Sequence, residues 1–268
     1  MKKLNSIIRS VFKFFFRSLK GKLIVFALLV GIIPAMTIGA ISYFISGDSM
    51  KNAAVEKLQV ANTLTNQRLI AFFDSLSQQV ALASAEGLVS DAVVAYEDAY
   101  NADGKTLGAN WSAADSKYGK GIAGLKEAHG YQDILLVGSF GDVVYKTTKS
   151  PELGKNLLEG TLQRSPASQC MLSSYTSIGI SDFEPYGPAN NQPCGFVGSP
   201  IKDKDGKLVG IFMIEIPYQQ INAITQNSTG MGKTGETYVV GDDKKMRSDS
   251  RLDPTNTVSS SFANNKLI

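Results

Sequence analysis

The chain is poor in the residues that build most catalytic and metal sites: in 268 residues it has two cysteines, Cys170 and Cys194, and one histidine, His129. That is too little for a zinc ribbon or finger, or for a disulfide-dense miniprotein. A lone histidine, with no Ser/His/Asp set and no paired-carboxylate arrangement, gives no basis for an enzyme. No cofactor or metal is expected either. Acidic residues are absent from positions 1–22, which carry seven Lys/Arg, while the remainder carries 20 basic and 24 acidic residues. The net charge of +3 is therefore a property of the N-terminus. Most of the chain is slightly acidic, so a nucleic-acid partner is not expected.

Charge is also absent from Leu23 to Ser46. As a helix these residues would run about 36 Å, enough to cross a hydrocarbon core of about 30 Å. Pro34 is compatible with such a span. The basic flank predicts a cytoplasmic N-terminus and an extracytoplasmic location for everything after Ser46, in a single-pass protein of the cell inner membrane. The apolar stretch is longer than a signal-peptide core and no A-x-A cleavage site follows it, which favours an anchor over a cleaved signal. Residues 4–20 read either as an amphipathic helix lying on the inner leaflet or as the charged flank that orients the anchor.

Between Asp48 and Ser84 there is no proline or glycine, and apolar or small residues recur every three or four positions from Met50 to Ala83. The spacing predicts one long helix whose stripe needs a partner: its own domain, a second copy, or both. A second helical stretch, Leu88 to Tyr100, follows Gly87. Asn101 to Lys120 is polar and holds the sole tryptophan, Trp111. After Gly130 the period changes to two. Strands are predicted at 133–137 and 143–147, then, past a proline-rich irregular segment from 150 to 193, at 195–201 and 208–216. Gly206 should supply a positive φ in the second hairpin turn. A short helix at 218–225 and a strand at 236–240 complete the pattern. The fold class is α+β, with at least four antiparallel strands and helices on one face.

Two weak motifs lose to plainer readings. Gly230-Met-Gly232-Lys233-Thr234 looks like the end of a phosphate loop, but Asn227 stands where a glycine is needed and no helix follows. Asp203, Asp205 and Gly206 lack the remaining ligands of a calcium loop and read as a hairpin turn. Cys170 and Cys194 both border the irregular segment, in a compartment that permits oxidation. The favoured reading is a disulfide closing about 25 residues, worth roughly 3 kcal/mol; the alternative is two separate thiols.

The strings Leu69-Ile-Ala-Phe-Phe-Asp-Ser-Leu76, Ser181-Asp-Phe-Glu-Pro-Tyr186, Cys194-Gly-Phe-Val-Gly-Ser-Pro-Ile201, Gly232-Lys-Thr-Gly-Glu-Thr-Tyr-Val-Val-Gly241 and Met246-Arg-Ser-Asp-Ser250 accompany the anchor and hairpins. Together, over about residues 23–255, they resemble the double-Cache extracytoplasmic sensor region of bacterial methyl-accepting chemotaxis proteins. The resemblance implies a PAS-like fold with a long N-terminal helix and an antiparallel sheet, and a membrane-distal module that binds a small molecule between the sheet and a crossing loop. It divides the chain into a cytoplasmic basic segment (1–22), the transmembrane helix (23–46), the distal module (47–226, including helix 48–100) and the start of a proximal module (227–268), truncated here. The ligand-binding candidates it implies are Asp182 and Tyr186 first, then Phe183, Tyr131, Asp133, Tyr145, Glu215 and, as a wall, Trp111. The plainer alternative is that Asp182 caps a turn and the aromatics are core. An Arg-x-Trp-Tyr pattern, which marks amino-acid-binding members, is absent. The resemblance further implies a homodimer through the long helix, and a chemotaxis kinase and coupling protein reached only through a cytoplasmic part not in this chain. The same sensor on a diguanylate cyclase or histidine kinase, and a membrane-anchored scaffold or binding protein without signalling, stand as alternatives.

Overall fold

A computed structural model describes residues 19–227, 229 and 231–258. The basic segment before Leu19, including most of the expected surface helix, lies outside the described residues, as do the last ten positions. The chain divides into two units, Met1–Val60 and Ala61–Ile268.

Helix α1 spans Leu19–Ser84, with Pro34 inside it. It is the one helix among the described residues long and apolar enough to cross a membrane. Its leucines, isoleucines and phenylalanines between Leu23 and Ile45 are exposed, as a lipid-facing surface requires.

In the second unit, α1 from Leu69 onward turns Leu76, Val80 and Ala83 inward. It ends at the Ala85-Glu86 turn, and α2 (Gly87–Ala102) follows. Val89, Ala92, Val93, Tyr96 and Tyr100 form the buried face of α2. The polar segment after it is more helical than its composition predicts. It forms α3 (Ala109–Ala114), a π turn (Asp115–Gly119) and α4 (Lys120–His129), which stops at Gly130 with φ 67°. The lone tryptophan accounts for part of this: Trp111 is buried, and its indole nitrogen donates to the Val144 carbonyl at 2.7 Å.

The strands are β1 (Ile134–Gly138), β2 (Val143–Lys146), β3 (Gly179–Ile180), β4 (Glu184–Tyr186), β5 (Gln192–Cys194), β6 (Phe196–Lys202) and β7 (Leu208–Glu215). Five of them make an antiparallel sheet in the order β2-β1-β7-β6-β3, and β4 and β5 pair separately. Helix α5 (Pro166–Ser173) lies in the segment expected to be irregular. Its start is a local signal, Ser165 accepting from the Ser168 amide with Pro166 in the first turn. Helix α6 (Tyr218–Thr225) falls where the sequence puts it. The 203–207 turn is also as expected: Asp203 Oδ1 accepts from the amides of Asp205 and Lys207 at 2.9 Å each, and Gly206 has φ 80°.

Two expectations fail. Residues 236–240 form no strand, only a bridge between Val240 and Met246: the Val239 amide goes to the Ser248 hydroxyl, and no other strand among the described residues lies alongside. Both faces of the sheet are covered, not one. Ile134, Leu136, Val197, Phe212 and Ile214 pack with α1 and α2, whereas Leu135, Val137, Phe196, Ile211 and Met213 pack with α5 and the β4–β5 hairpin. The apolar residues of β1 and β7 are continuous in sequence for that reason.

Glycines set the closest approach. Gly138 and Gly210 pair across β1 and β7. A Cβ on Gly210 would stand 2.6 Å from Val93 Cγ2 and 2.7 Å from the Val137 carbonyl, and one on Gly138 would stand 2.5 Å from Glu97 Oε1. The Val93 and Glu97 side chains of α2 thus rest directly on the strand backbones.

Candidate functional site

Side chains alternate along β1 and β7, and their register with β2 puts three charged groups on the loop-covered face. Leu135 pairs with Lys146, and Met213, Leu135's partner on β7, shares that face with Glu215 two residues on. Asp133 continues the same face before β1. The segment after β2 brings in Glu152, and the β4–β5 hairpin brings in Tyr186 and Cys194.

Lys146 is the hub. Its side chain is 5% exposed, and it pairs with Glu152 Oε1 and, at 3.3 Å, with Asp133 Oδ2. Burial alone would lower the pKa of this ammonium; the contacts to Glu152 and Asp133 outweigh it and the net shift is upward. Asp133 is well supplied without the lysine: Oδ1 accepts from the Ile134 amide at 2.9 Å, the Thr148 amide at 3.1 Å and the Thr147 hydroxyl. Glu152 is not. It is 0% exposed, and its Oε2 has no hydrogen-bond partner among the described residues. Tyr186, 1% exposed, also has a buried hydroxyl without a partner. Burial first, and then the field and close approach of the Glu152 carboxylate, push that hydroxyl's pKa up, although the two groups do not close a hydrogen bond of good geometry. At the edge of the cluster Glu215 Oε1 accepts from Cys194 Sγ at 3.3 Å and from Gln132 Nε2 at 3.1 Å. Burial raises the Glu215 pKa, against the opposing pull of its thiol contact and Lys146.

The expected disulfide is not formed. Cys170 and Cys194 are free, buried thiols. Cys170 contacts the Gly179 carbonyl at 3.5 Å, and Cys194 is turned to Glu215. Burial pushes the Cys170 thiol up to about 12.

The sequence-derived candidates scatter over four places. Asp133, Tyr186 and Glu215 meet in the cluster just described. Tyr145 and Trp111 lie on the opposite, helix-packed face, where both rings pack on Tyr96 and the Tyr145 hydroxyl donates to the Gly119 carbonyl at 3.1 Å. Tyr131 stacks on His129 and lines a small hollow with Phe72 and Gln79. Asp182 and Phe183 border a separate apolar hollow of about 250 Å³ with Leu69, Phe73, Ile221 and Val239. Asp182 does not simply cap a turn. Arg247 Nε and Nη2 donate to its two oxygens at 2.6 Å each, and Nη2 also reaches Asp243 at 2.9 Å.

That pairing explains the Met246-Arg-Ser-Asp-Ser250 string locally. Met246 and Ser248 are buried, Arg247 holds the loop before β4, and Asp249 exchanges two bonds of 2.7 Å with Asn222 of α6. Glu236 Oε2, from the Gly-Glu-Thr-Tyr string, accepts from Ser250 Oγ at 2.7 Å and the Arg251 amide at 2.9 Å. The two most specific strings thus bind each other and the module before them.

Sequence reasoning missed Lys146 and Glu152. The available signal was a lysine in phase with Leu135 in an otherwise apolar hairpin, a position that burial allows only with a carboxylate nearby.

No family model matches the sequence, and no curated protein sequence matches it. Solved structures do. The sensor domain of the Vibrio cholerae histidine kinase DctB superposes with a TM-score of 0.52 at 13% identity, over 74% of this chain and 66% of that one. The fold is similar to that of Cache sensor domains. The sensory domain of the Campylobacter jejuni chemoreceptor Tlp3 gives 0.46 at 14% identity, over 76% and 73% of the two chains. The ligand-binding domain of the Pseudomonas fluorescens chemoreceptor CtaA, in complex with L-isoleucine, gives 0.40 at 17%, over 79% and 75%. The chain spans just under two thirds of the DctB sensor domain (66%).

Proposed function

We propose that the chain is the extracytoplasmic, small-molecule-sensing input of a transmembrane receptor. In this reading the N-terminus is cytoplasmic, residues 23–46 cross the inner membrane, residues 47–226 form the sensing module and residues 227–268 begin a second one. The observation that carries the proposal is the pair of buried, unpartnered atoms, Glu152 Oε2 and Tyr186 Oη, beside a charged triad on the loop-covered sheet face. A buried polar atom without a partner costs about 1–3 kcal/mol. A scaffold gains nothing from that cost, whereas a binding site recovers it when its ligand arrives. The fold likeness to a kinase sensor domain is what this reading expects.

The exposed apolar residues Val55, Leu58 and Leu64 of α1 suit a second copy of the helix, giving the homodimer such receptors use. A chemoreceptor output is the first choice, and a histidine kinase or diguanylate cyclase the alternative. The downstream reading frame decides between them. Sensing is tested by thermal shift of the full chain in nanodiscs against a broad panel of small metabolites. A binder should raise the Tm of the wild type, and that of Tyr186→Phe by less at the same concentration. If no solute shifts the wild type, the sensing reading is wrong.

A further inference from the structure

The charges on the loop-covered face restrict what can bind there. Lys146 is the only cation contacting the cluster among the described residues, and both of its carboxylate contacts are made within the protein. Asp133 and Glu152 stand against it, so the cluster carries a net charge of at least −1. With Glu215 ionised the balance is −2, and the mutual repulsion of these carboxylates contributes to the raised pKa of Glu215. Charge excess inside a low-dielectric site is felt strongly. An incoming carboxylate would face this excess and would have to detach Lys146 from Glu152, which would leave Glu152 buried without any partner. An incoming cation can leave both Lys146 pairs in place. It meets an acceptor, Glu152 Oε2, that no described residue occupies, beside a hydroxyl, Tyr186 Oη, that can also accept a bond. The half-exposed edge at Glu215, next to exposed Gln132, is the side open to solvent.

We propose that this site takes a small organic cation, a primary ammonium or a guanidinium, fixed by Glu152 Oε2 and Tyr186 Oη alongside Lys146, and rejects carboxylates. The proposal rests on the sensing reading and adds the ligand class to it. The Lys146 ammonium already stands between two carboxylates, so the protein itself displays the contact that the ligand's cationic head makes.

The test uses the full chain in nanodiscs and matched probes: propylamine and agmatine as cations, propionate and succinate as anions, 1-propanol as the uncharged control. The cations should raise Tm in a saturable way and the anions and alcohol should not. Glu152→Gln keeps an oxygen for Lys146 but removes the charge that faces the ligand. It should weaken amine binding by at least about tenfold, the worth of one charge-assisted hydrogen bond, and Tyr186→Phe, which keeps the packing, should weaken it by a smaller factor. Stabilisation by the anions and not the cations would overturn the ligand class and leave sensing intact. Amine binding unchanged in Glu152→Gln would place the cation elsewhere and also overturn it. A wild type that responds to nothing in the broader metabolite panel would remove the sensing reading itself.

Discussion

Replacing Lys146 with methionine isolates the central electrostatic claim. The two partners of the lysine differ in what they lose. Asp133 keeps two backbone amides and the Thr147 hydroxyl on Oδ1, so it remains hydrogen-bonded. Glu152, 0% exposed and with Oε2 already unpartnered, would lose the ammonium on Oε1. Breaking a buried pair from one side costs about 3–5 kcal/mol, because a charge is stranded where water cannot reach it. For a folded unit of this size that corresponds to a fall in Tm of roughly 6–20 °C. Removing both charges, as Lys146→Met with Glu152→Leu, should bring stability back to within about 1 kcal/mol of the wild type or above it. The double-mutant cycle therefore has a large coupling energy with a predicted sign. Urea unfolding followed by the fluorescence of Trp111, the sole tryptophan and buried against the far face of the sheet, reports the change without touching the cluster. A single mutant within about 1 kcal/mol of the wild type, or a double mutant as unstable as the single, would show that Glu152 is not held by Lys146, and the charge balance assigned to this face would be wrong.

Glu215 gives a pH-dependent test. Its pKa is raised in the folded state, so the folded protein holds the proton more tightly than the unfolded one. Stability from this group is greatest below its ordinary value of 4.5 and declines as pH rises from there through the folded pKa. Glu215→Gln should flatten that decline and raise Tm at pH 7.5; pH–Tm profiles of the two proteins that run parallel between pH 4.5 and 8 would refute the shift. Gly210→Ala tests the contact between helix and sheet. The new methyl would meet Val93 Cγ2 at 2.6 Å, which can turn away, and the Val137 carbonyl at 2.7 Å, which cannot without moving β1. The expected loss is about 1–3 kcal/mol in urea unfolding, and combination with Val93→Ala should recover only part of it; full recovery would mean that the strand backbone has room after all.

Local chemistry determined how much of the fold could be read in advance. Helices and hairpins with a clean period were legible: the interruption at Gly87, both long hairpins, and α6. Residues 109–129 were not, because that segment is anchored by tertiary bonds, Trp111 to the Val144 carbonyl and the Tyr145 hydroxyl to the Gly119 carbonyl, between residues 33 and 26 positions apart. Helix α5 was hidden by the surrounding prolines, although Ser165-Pro166 is itself a helix start. The strand expected at 236–240 failed for the converse reason. Its pattern is sound, but a strand exists only where a neighbour accepts its hydrogen bonds, and composition says nothing about neighbours. The site divided in the same way. Aromatic residues were taken together as one pocket, yet the bulge between Leu136 and Val137 turns Tyr145 to the helix face while Lys146 stays opposite Leu135. A one-residue irregularity of this kind decides which face a side chain reaches, and nothing in the sequence marks it.

The same register bears on how a binding event could be felt at a distance. Strand β1 carries Leu135 and Val137 on the face of the charged cluster and Ile134 and Leu136 on the face of α2. Helix α2 meets β1 and β7 at the paired glycines, where its Val93 and Glu97 side chains lie against the strand backbones, and the end of α1 is tied to β6 by Ser84 Oγ donating to Ser199 Oγ at 2.9 Å. Packed interiors do not absorb displacement; they pass it on or repack in discrete steps. A ligand that draws Glu152 and Tyr186 together must therefore move β2 and the β4–β5 hairpin relative to a sheet whose other face is closely packed against the helices. The proposed receptor role needs that coupling. Filling the Gly210 contact should consequently impair ligand response more than ligand binding, a separation that a site coupled through loops alone would not produce.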